Sequence, residues 1–479
     1  MATVTRWPSC RKIRAQRSAA TALPVRLLGP RGITRIIAMA SAISERPTSG
    51  ASPAELAYQL HETRTRTHRL VDELSSEQLM GLKLDIVNPV LWEIGHVGWF
   101  HEYWTLRLSH GQAPLIARAD DLWNSSTVAH DTRWDLDLPD RNETFAYLTK
   151  VTERQCEHLA RPDFPDPARY YYELAIRHED MHVEALAYMR ETLAYPPPAG
   201  LGERPPPAAG DVPGDAEVPG GSWRLGATTT EGFIFDNEKW AFAVELEPFR
   251  IARAAVTNRQ FAAFVEAGGY HTREFWSDAG WAWRQRQRAE RPTYWQPKSD
   301  GVWRWRRYDR TEDLQLDAPV VFVSWYEADA WCRWAKRRLP SEAEWEAAAI
   351  GEPAPGGGRL AATKRVWPWG EAKPTRHHAN LEFAYDAPVD VGACADGDSA
   401  FGCRQMLGNV WEWTASDFAP FPGFSADPYQ DYSQPWFGKR KVLRGGCWAT
   451  SARIARPGYR NFFPPDRNDI VAGFRTCAL

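Results

Sequence analysis

The chain has 479 residues, a length that favours two or three domains, and its 43% hydrophobic content excludes global disorder. Its 58 basic and 61 acidic side chains leave a net charge of −3, which excludes a protein held on nucleic acid by phosphate charge. No apolar run reaches the ~18 residues of a membrane span, so neither membrane nor nucleic acid is an expected partner.

The first forty residues hold seven arginines (Arg6, Arg11, Arg14, Arg17, Arg26, Arg31, Arg35) and Lys12, with no acid before Glu45. The composition is that of a mitochondrial transit peptide, but no clear amphipathic repeat accompanies it. A disordered, over-extended start with Met39 as initiator is the preferred reading, and the segment is set outside the folded domains.

Residues 52–195 read as helices. Leu56, Leu60, Thr63, Thr67 and Leu70 form a stripe of helical period. Asn88-Pro89 reads as a helix start, with Asn as cap and Pro in the first turn, ahead of PVLWEIGHVGWFHEYWTLRL. Further helices are predicted from Glu143 to Arg161 and from Pro167 to about Leu193, stopping before Pro196-Pro197-Pro198. Four helices with moderate loops predict a bundle. Residues 196–220 are rich in Pro and Gly without apolar periodicity and read as a linker.

From 221 to 479 short apolar and aromatic runs alternate with turn residues. Helices are predicted only near Asn258–Glu266, Tyr326–Arg337 and Ser341–Ala349. The 24 tryptophans of the chain must stack in cores or line a pocket. The seven cysteines (Cys10, Cys156, Cys332, Cys394, Cys403, Cys447, Cys477) form no C-x-x-C pair. They predict mostly buried free thiols and a reducing, cytoplasmic setting, with a Cys394–Cys403 bridge as the minor alternative.

His178 and His182 stand four apart on a predicted helix, so both imidazoles leave one face and can chelate a single divalent metal. A third ligand is expected from the other aromatic helix, where His96 and His101 compete. They lie ~140° apart round a helix, so only one can share the face. His96 is preferred because Ile94, Val97 and Phe100 around it read as buried, whereas His101 beside Glu102 reads as solvated. Three neutral imidazoles with open positions suit Fe(II) or Zn(II), and spacing does not choose between them. The stretch His178-Glu179-Asp180-Met181-His182 also fits the bare zinc-protease pattern, which keeps a zinc hydrolase with Glu179 as general base as an alternative.

The C-terminal half carries GSWRLG at 221–226, LPSEAEWEAAA at 339–349, WPWGE at 367–371, MLGNVWEWTAS at 406–416, VLRGGCWAT at 442–450, and YRNFFPPD then AGFR within 459–475. Together these resemble the sulfatase-modifying, formylglycine-generating fold, a C-type-lectin-like architecture. The N-terminal half resembles a DinB-like four-helix bundle. Joined in this order they resemble the ergothioneine sulfoxide synthase family, non-haem iron enzymes that use O2 to join sulfur to the imidazole C2 of hercynine (trimethylhistidine). Selenoneine synthases, which use a selenosugar, belong to the same superfamily. The resemblance implies fold class α + (α+β), Fe(2+) as cofactor, and small molecules as partners: hercynine, O2 and a selenosugar or thiol. The sequence carries no signal for an oligomeric state.

The resemblance also implies site residues. The iron triad falls on His96, His178 and His182, the proton or electron donor on Tyr429, and a substrate-side neighbour on Tyr432. Asn461 matches a position that meets the imidazole. Trp411, Trp413, Phe462 and Phe463 could offer aromatic faces to the trimethylammonium.

Departures from the pattern bear on the donor. Phe463 stands where members using γ-glutamylcysteine carry Asp, although Arg467 remains. The 122–139 loop keeps only His130 and Arg133 of a basic run, and Met181 replaces a usual Gln. A charged thiol donor is thus less well served than a neutral selenosugar, whose hydroxyls Asn124, Ser125 or Asp131 could bind. Ergothioneine synthesis from cysteine or γ-glutamylcysteine is the alternative. Formylglycine chemistry lacks its second cysteine, since Cys447 stands alone after the RGG segment. A non-catalytic binding protein is the remaining rival, and it would need no three-histidine site.

Overall fold

The computed structural model describes residues 50–479 apart from 201, 204, 207, 208 and 229–231. The expectations for residues 1–48 and Cys10 lie outside the described residues. The N-terminal half is built from α1 (Pro53–Val71), the short α2 (Ser76–Met80), α3 (Val90–His101), the short α4 (Ala119–Trp123), α5 (Arg141–Leu159) and α6 (Asp166–Thr192).

Local chemistry fixes the ends of these helices. Ser52 with Glu55, and Asp140 with Glu143, form reciprocal capping boxes at the heads of α1 and α5. The α1 stripe is buried through Leu56, Leu60, Thr63, Thr67 and Leu70. Asn88 does not cap α3 as predicted. Pro89 holds the cap position, and the Asn88 side chain is spent on Glu93 and Arg133.

Helix α3 is buried on all sides and runs on into a π-helical segment, Glu102–Leu108. Its two glycines permit close approach of neighbours. A Cβ on Gly95 would lie 2.2 Å from the Trp123 indole nitrogen, and one on Gly98 would lie 2.9 Å from Leu148 Cδ1.

The C-terminal half contains β1 (Asp215–Val218), β2 (Gly221–Leu225), β3 (Phe242–Leu246), β4 (Phe249–Ala252), α7 (Asn258–Glu266), α8 (Asp278–Gln287), β5 (Arg304–Arg307), β6 (Arg310–Asp313), α9 (Trp325–Trp334), β7 (Arg337–Arg338), α10 (Glu342–Ile350), β8 (Trp411–Asp417), β9 (Lys441–Arg444), β10 (Asn461–Phe463), β11 (Ala472–Gly473) and β12 (Cys477–Ala478). Two four-stranded sheets have the orders β1-β4-β12-β7 and β10-β9-β8-β11, and two hairpins pair β2 with β3 and β5 with β6. β11 runs parallel to β8, while β8, β9 and β10 pair antiparallel in sequence.

Three differences from the predicted elements have local causes. β1 lies inside the predicted 196–220 linker, where pairing with β4 buries Ala216 and Val218. Helix α8 was not predicted, yet Ser277 caps it and Trp283 anchors it in the core. Helix α9 stops at Trp334, because Lys336 adopts φ 54° and turns the chain into β7.

The six described cysteines are free, so Cys394 and Cys403 are not bridged. One apolar cluster runs from Leu70, Trp92 and Phe100 of the bundle to Trp411, Trp413 and Phe474 of the C-terminal half. Polar contacts reinforce this seam. Arg66 pairs with Glu382 at 3.0 Å, and Arg453 Nη1 lies 3.3 Å from Asp180 of α6. Buried Arg460–Glu342 and Arg475–Glu412 pairs brace the sheets. Among the described residues, no helix is long and apolar enough to cross a membrane.

Candidate active site

Helices α3 and α6 bring His96, His178 and His182 together, with one ring nitrogen from each within 4.8 Å of the others. The ring centroids of His96 lie 5.1 Å from both His178 and His182. Each ring is held from behind. His96 Nδ1 meets the Trp123 carbonyl at 2.7 Å, a contact that the missing Cβ of Gly95 allows by letting Trp123 pack on α3. His182 Nδ1 meets Glu93 Oε1 at 2.5 Å. His178 stacks on Phe100, with ring centroids 3.5 Å apart and planes 6° apart.

The electrostatics keep two of the imidazoles neutral. Burial, and then the neighbouring His182, push His96 down to about 3. Burial and the surrounding imidazoles hold His178 well below its ordinary value. Burial alone would raise Glu93, but His182 beside it outweighs that and holds the carboxyl at about 2. Three imidazoles, with the Nδ1 of His96 fixed by a carbonyl and that of His182 by a carboxylate, form a donor set that suits Fe(II) or Zn(II).

His101 is fully buried rather than solvated, and it faces another network. Gln155 donates to its Nδ1 at 3.0 Å, and its Nε2 lies 3.0 Å from Glu179. Glu179 also accepts from Arg64 at 2.8 Å and from Thr67 at 2.7 Å. Burial would raise this carboxyl, but Arg64 overcomes it and holds Glu179 at about 2. Glu179 is therefore tied into the bundle interior behind α6. It is absent from the wall of the cavity beside the three histidines, and a zinc hydrolase would lack its base.

That cavity, about 630 Å³, lies between the bundle and the second sheet, and His182 is part of its wall. Tyr429, Tyr432, Asn461, Phe462, Phe463, Trp411, Arg133 and Met181 all line it, as does Ser125. Trp413 and Arg467 do not. The Trp413 indole is buried and donates to the Val323 carbonyl at 2.9 Å, and Arg467 is bonded to Asp469 at 2.5 and 2.7 Å. Asn124 and Asp131 are also outside the wall.

Tyr429 packs edge-on to Phe100, with centroids 5.0 Å apart, and its ring lies 6.3 Å from that of His178. Burial and nearby Asp431 raise its phenol well above the ordinary value. Tyr432 stacks on Phe235 at 4.4 Å, and its hydroxyl meets that of Tyr459 at 3.1 Å. Both phenols point at the Met181 sulfur.

Several residues of this site were not predicted. Glu184 of α6 accepts from the Trp411 indole at 2.6 Å and from the Thr450 hydroxyl at 2.5 Å, fixing one wall to the helix that bears two of the histidines. Glu93 and Glu184 had a signal in the sequence, since each is an acid on an otherwise apolar helical face and so needs a partner. Arg440 comes from a loop with no local signal, whereas Tyr459 opens the YRN motif and Asp431 lies between Tyr429 and Tyr432 in the short 3-10 turn Gln430–Tyr432. Cys447 is buried, its thiol accepts from Thr450, and burial raises its pKa, so nothing activates it as a nucleophile.

Comparison with known proteins follows the same division. Residues 59–192 match the DinB superfamily and residues 202–478 the sulfatase-modifying factor enzyme 1-like domain. A hercynine oxygenase of Mycolicibacterium thermoresistibile is 38% identical over 432 residues, covering 88% of this chain and 94% of that one. Another from Mycolicibacterium smegmatis is 36% identical, covering 88% and 97%. A formylglycine-generating enzyme of Streptomyces coelicolor is 34% identical over 311 residues, covering 60% of this chain and 96% of that one.

Proposed function

The chain belongs to the hercynine oxygenase family of oxygen-dependent enzymes, and from that premise we propose that it joins a chalcogen donor to the imidazole C2 of hercynine at a three-histidine iron centre, with a neutral selenosugar as donor. The observation that carries the reading is the convergence of His96, His178 and His182 beside a cavity walled by Tyr429 and Asn461. Atoms and electrons balance for one O2. Hercynine loses its C2 hydrogen and the donor its Se–H hydrogen, a C–Se bond forms, one oxygen stays on selenium and the other leaves as water.

His96, His178 and His182 would hold iron, which when bound supplies Lewis acidity toward the donor and electrons for O2. Glu93 and the Trp123 carbonyl orient the ligand rings. Trp411, Tyr432, Tyr459 and Phe462 offer aromatic faces for the trimethylammonium. The raised pKa of Tyr429 keeps its phenol protonated at neutral pH, ready to donate into the cavity.

Support for a selenosugar comes from the wall chemistry. Phe463 is apolar, Arg467 is neutralised by Asp469, and the 122–139 loop contributes Ser125 and Ser126 together with Arg133. Arg133 is itself engaged with Asn88 at 2.7 Å and with the Trp92 ring at 3.7 Å. A second reading, with cysteine or γ-glutamylcysteine as donor, is favoured by one residue, Arg440, whose guanidinium lines the same cavity. The test is a competition among selenosugar, cysteine and γ-glutamylcysteine with the iron-loaded protein, hercynine and O2, read by mass spectrometry. Preferential selenium adduct is expected. Preferential sulfur adduct would transfer the chain to ergothioneine synthesis.

A further inference from the structure

Three arginines lie in or beside the cavity, and they differ in how their charge is met. Arg467 is paired with Asp469 and lies outside the wall. Arg133 lines the wall, but it donates to Asn88 Oδ1 at 2.7 Å and to the Val128 carbonyl at 3.1 Å. Arg440 also lines the wall, yet among the described residues it pairs with no carboxylate, and the one hydrogen bond of its side chain is a long 3.4 Å contact to the Phe462 carbonyl.

Its position is nevertheless fixed. The guanidinium carbon sits 3.8 Å over the Trp436 ring and 5.8 Å from the Phe462 ring. Stacking of this kind holds the plane of the group and leaves its edge N–H donors free. Burial, and then repulsion by Arg467, lower its pKa to about 10, which still leaves it charged at neutral pH. A positioned, part-buried cation without a counter-charge is costly in an empty site and is relieved by an anion that enters. The planar fork matches a carboxylate.

We infer that Arg440 is a specificity-determining residue that receives the carboxylate of an amino-acid substrate in this cavity, hercynine being the source common to both donor readings. The inference rests on the functional reading above. It places the carboxylate of hercynine at the Trp436–Phe462 side of the cavity, leaving the imidazole to face the three histidines. It also predicts that a compound with the same imidazole and trimethylammonium but no carboxylate gains nothing from Arg440.

The test is equilibrium binding to the iron-loaded protein without O2, by calorimetry, of hercynine and its decarboxylated analogue trimethylhistamine. A parallel arm compares cysteine with cysteamine. Arg440→Met preserves the apolar stacking and Arg440→Lys preserves the charge, and thermal melts establish that both variants fold. Loss of a charge-assisted hydrogen bond should weaken hercynine binding by about 10- to 100-fold in Arg440→Met, less in Arg440→Lys, and leave trimethylhistamine unchanged. Selective loss in the cysteine arm alone would keep the carboxylate role and assign it to the donor. Equal loss for both members of each pair, or no loss for any ligand, would overturn the assignment while leaving the functional reading in place. Failure of the unaltered protein to bind hercynine and trimethylhistamine alike would overturn the functional reading and this assignment with it.

Discussion

Glu93 on α3 reaches across to His182 on α6, its carboxylate 2.5 Å from the imidazole Nδ1, while Asn88 holds the other oxygen at 2.6 Å. The carboxylate thus fixes which His182 nitrogen faces the two neighbouring rings. Glu93→Gln keeps the shape and removes the charge. Metal affinity should fall by about 10- to 100-fold, as for other carboxylate–histidine–metal relays, while the far-UV spectrum is retained. Unchanged affinity in a metal titration would show that Glu93 serves only the fold.

Tyr429 lies edge-on to Phe100 and faces the His178 side of the cavity. Tyr429→Phe removes the hydroxyl with little change in packing. Iron binding should persist, coupled product should fall by at least about 100-fold, and oxidised donor should accumulate instead. Product ratios by mass spectrometry check this, and an unaltered ratio would remove Tyr429 from the chemistry.

Glu179 separates the oxygenase account from a zinc hydrolase. Its two oxygens are consumed by Arg64, Thr67 and His101 in the bundle interior. Glu179→Gln should cost about 3–5 kcal/mol by leaving the buried Arg64 guanidinium unpaired, seen as a lower unfolding midpoint. Turnover per folded molecule should stay within a few-fold of the unaltered protein. Loss of turnover without loss of stability would instead mark Glu179 as a base.

Glu327 of α9 provides a pH signature that involves neither the three histidines nor the cavity wall. It is fully buried, accepts from Tyr270, from the Ser324 backbone and from the Ser324 hydroxyl, and burial raises its carboxyl to about 7. The folded state therefore binds this proton more tightly than the unfolded chain does. Its contribution is fully present below the unfolded value of 4.5 and is lost as pH rises through about 7. Denaturant unfolding should show this loss, on the order of 3 kcal/mol between pH 5 and 8, and Glu327→Gln should flatten it. A variant with the same slope as the unaltered protein would assign the pH dependence to other groups.

Much of the site could be read from sequence because helices carry periodic information. The i, i+4 spacing of His178 and His182 dictates a shared face, and the apolar neighbours of His96 mark a second face able to meet it. The error at His101 came from judging exposure by the adjacent Glu102. Both side chains are buried, His101 against Glu179 and Glu102 against Tyr147. Trp413 shows a different limit. Its motif carried the family resemblance, but only tertiary packing shows that its indole turns to Val323 while that of Trp411 meets Glu184 at the cavity. Arg440 was invisible for the same reason, since it reaches the site from a loop whose path is set by distant pairings. β1 escaped because a four-residue strand amid Pro and Gly carries too few alternations to register.

The measurement that bears most directly on the central claim is an anaerobic titration of metal-free protein with Fe(II), followed by O2 in the presence of hercynine and the chalcogen donor. The account predicts one iron bound per chain, lost in His178→Ala. It also predicts a product with the mass of hercynine plus donor plus one oxygen less two hydrogens, formed only by the iron-loaded protein. Stoichiometric iron retained by His178→Ala, or the same adduct made by the metal-free protein, would contradict it.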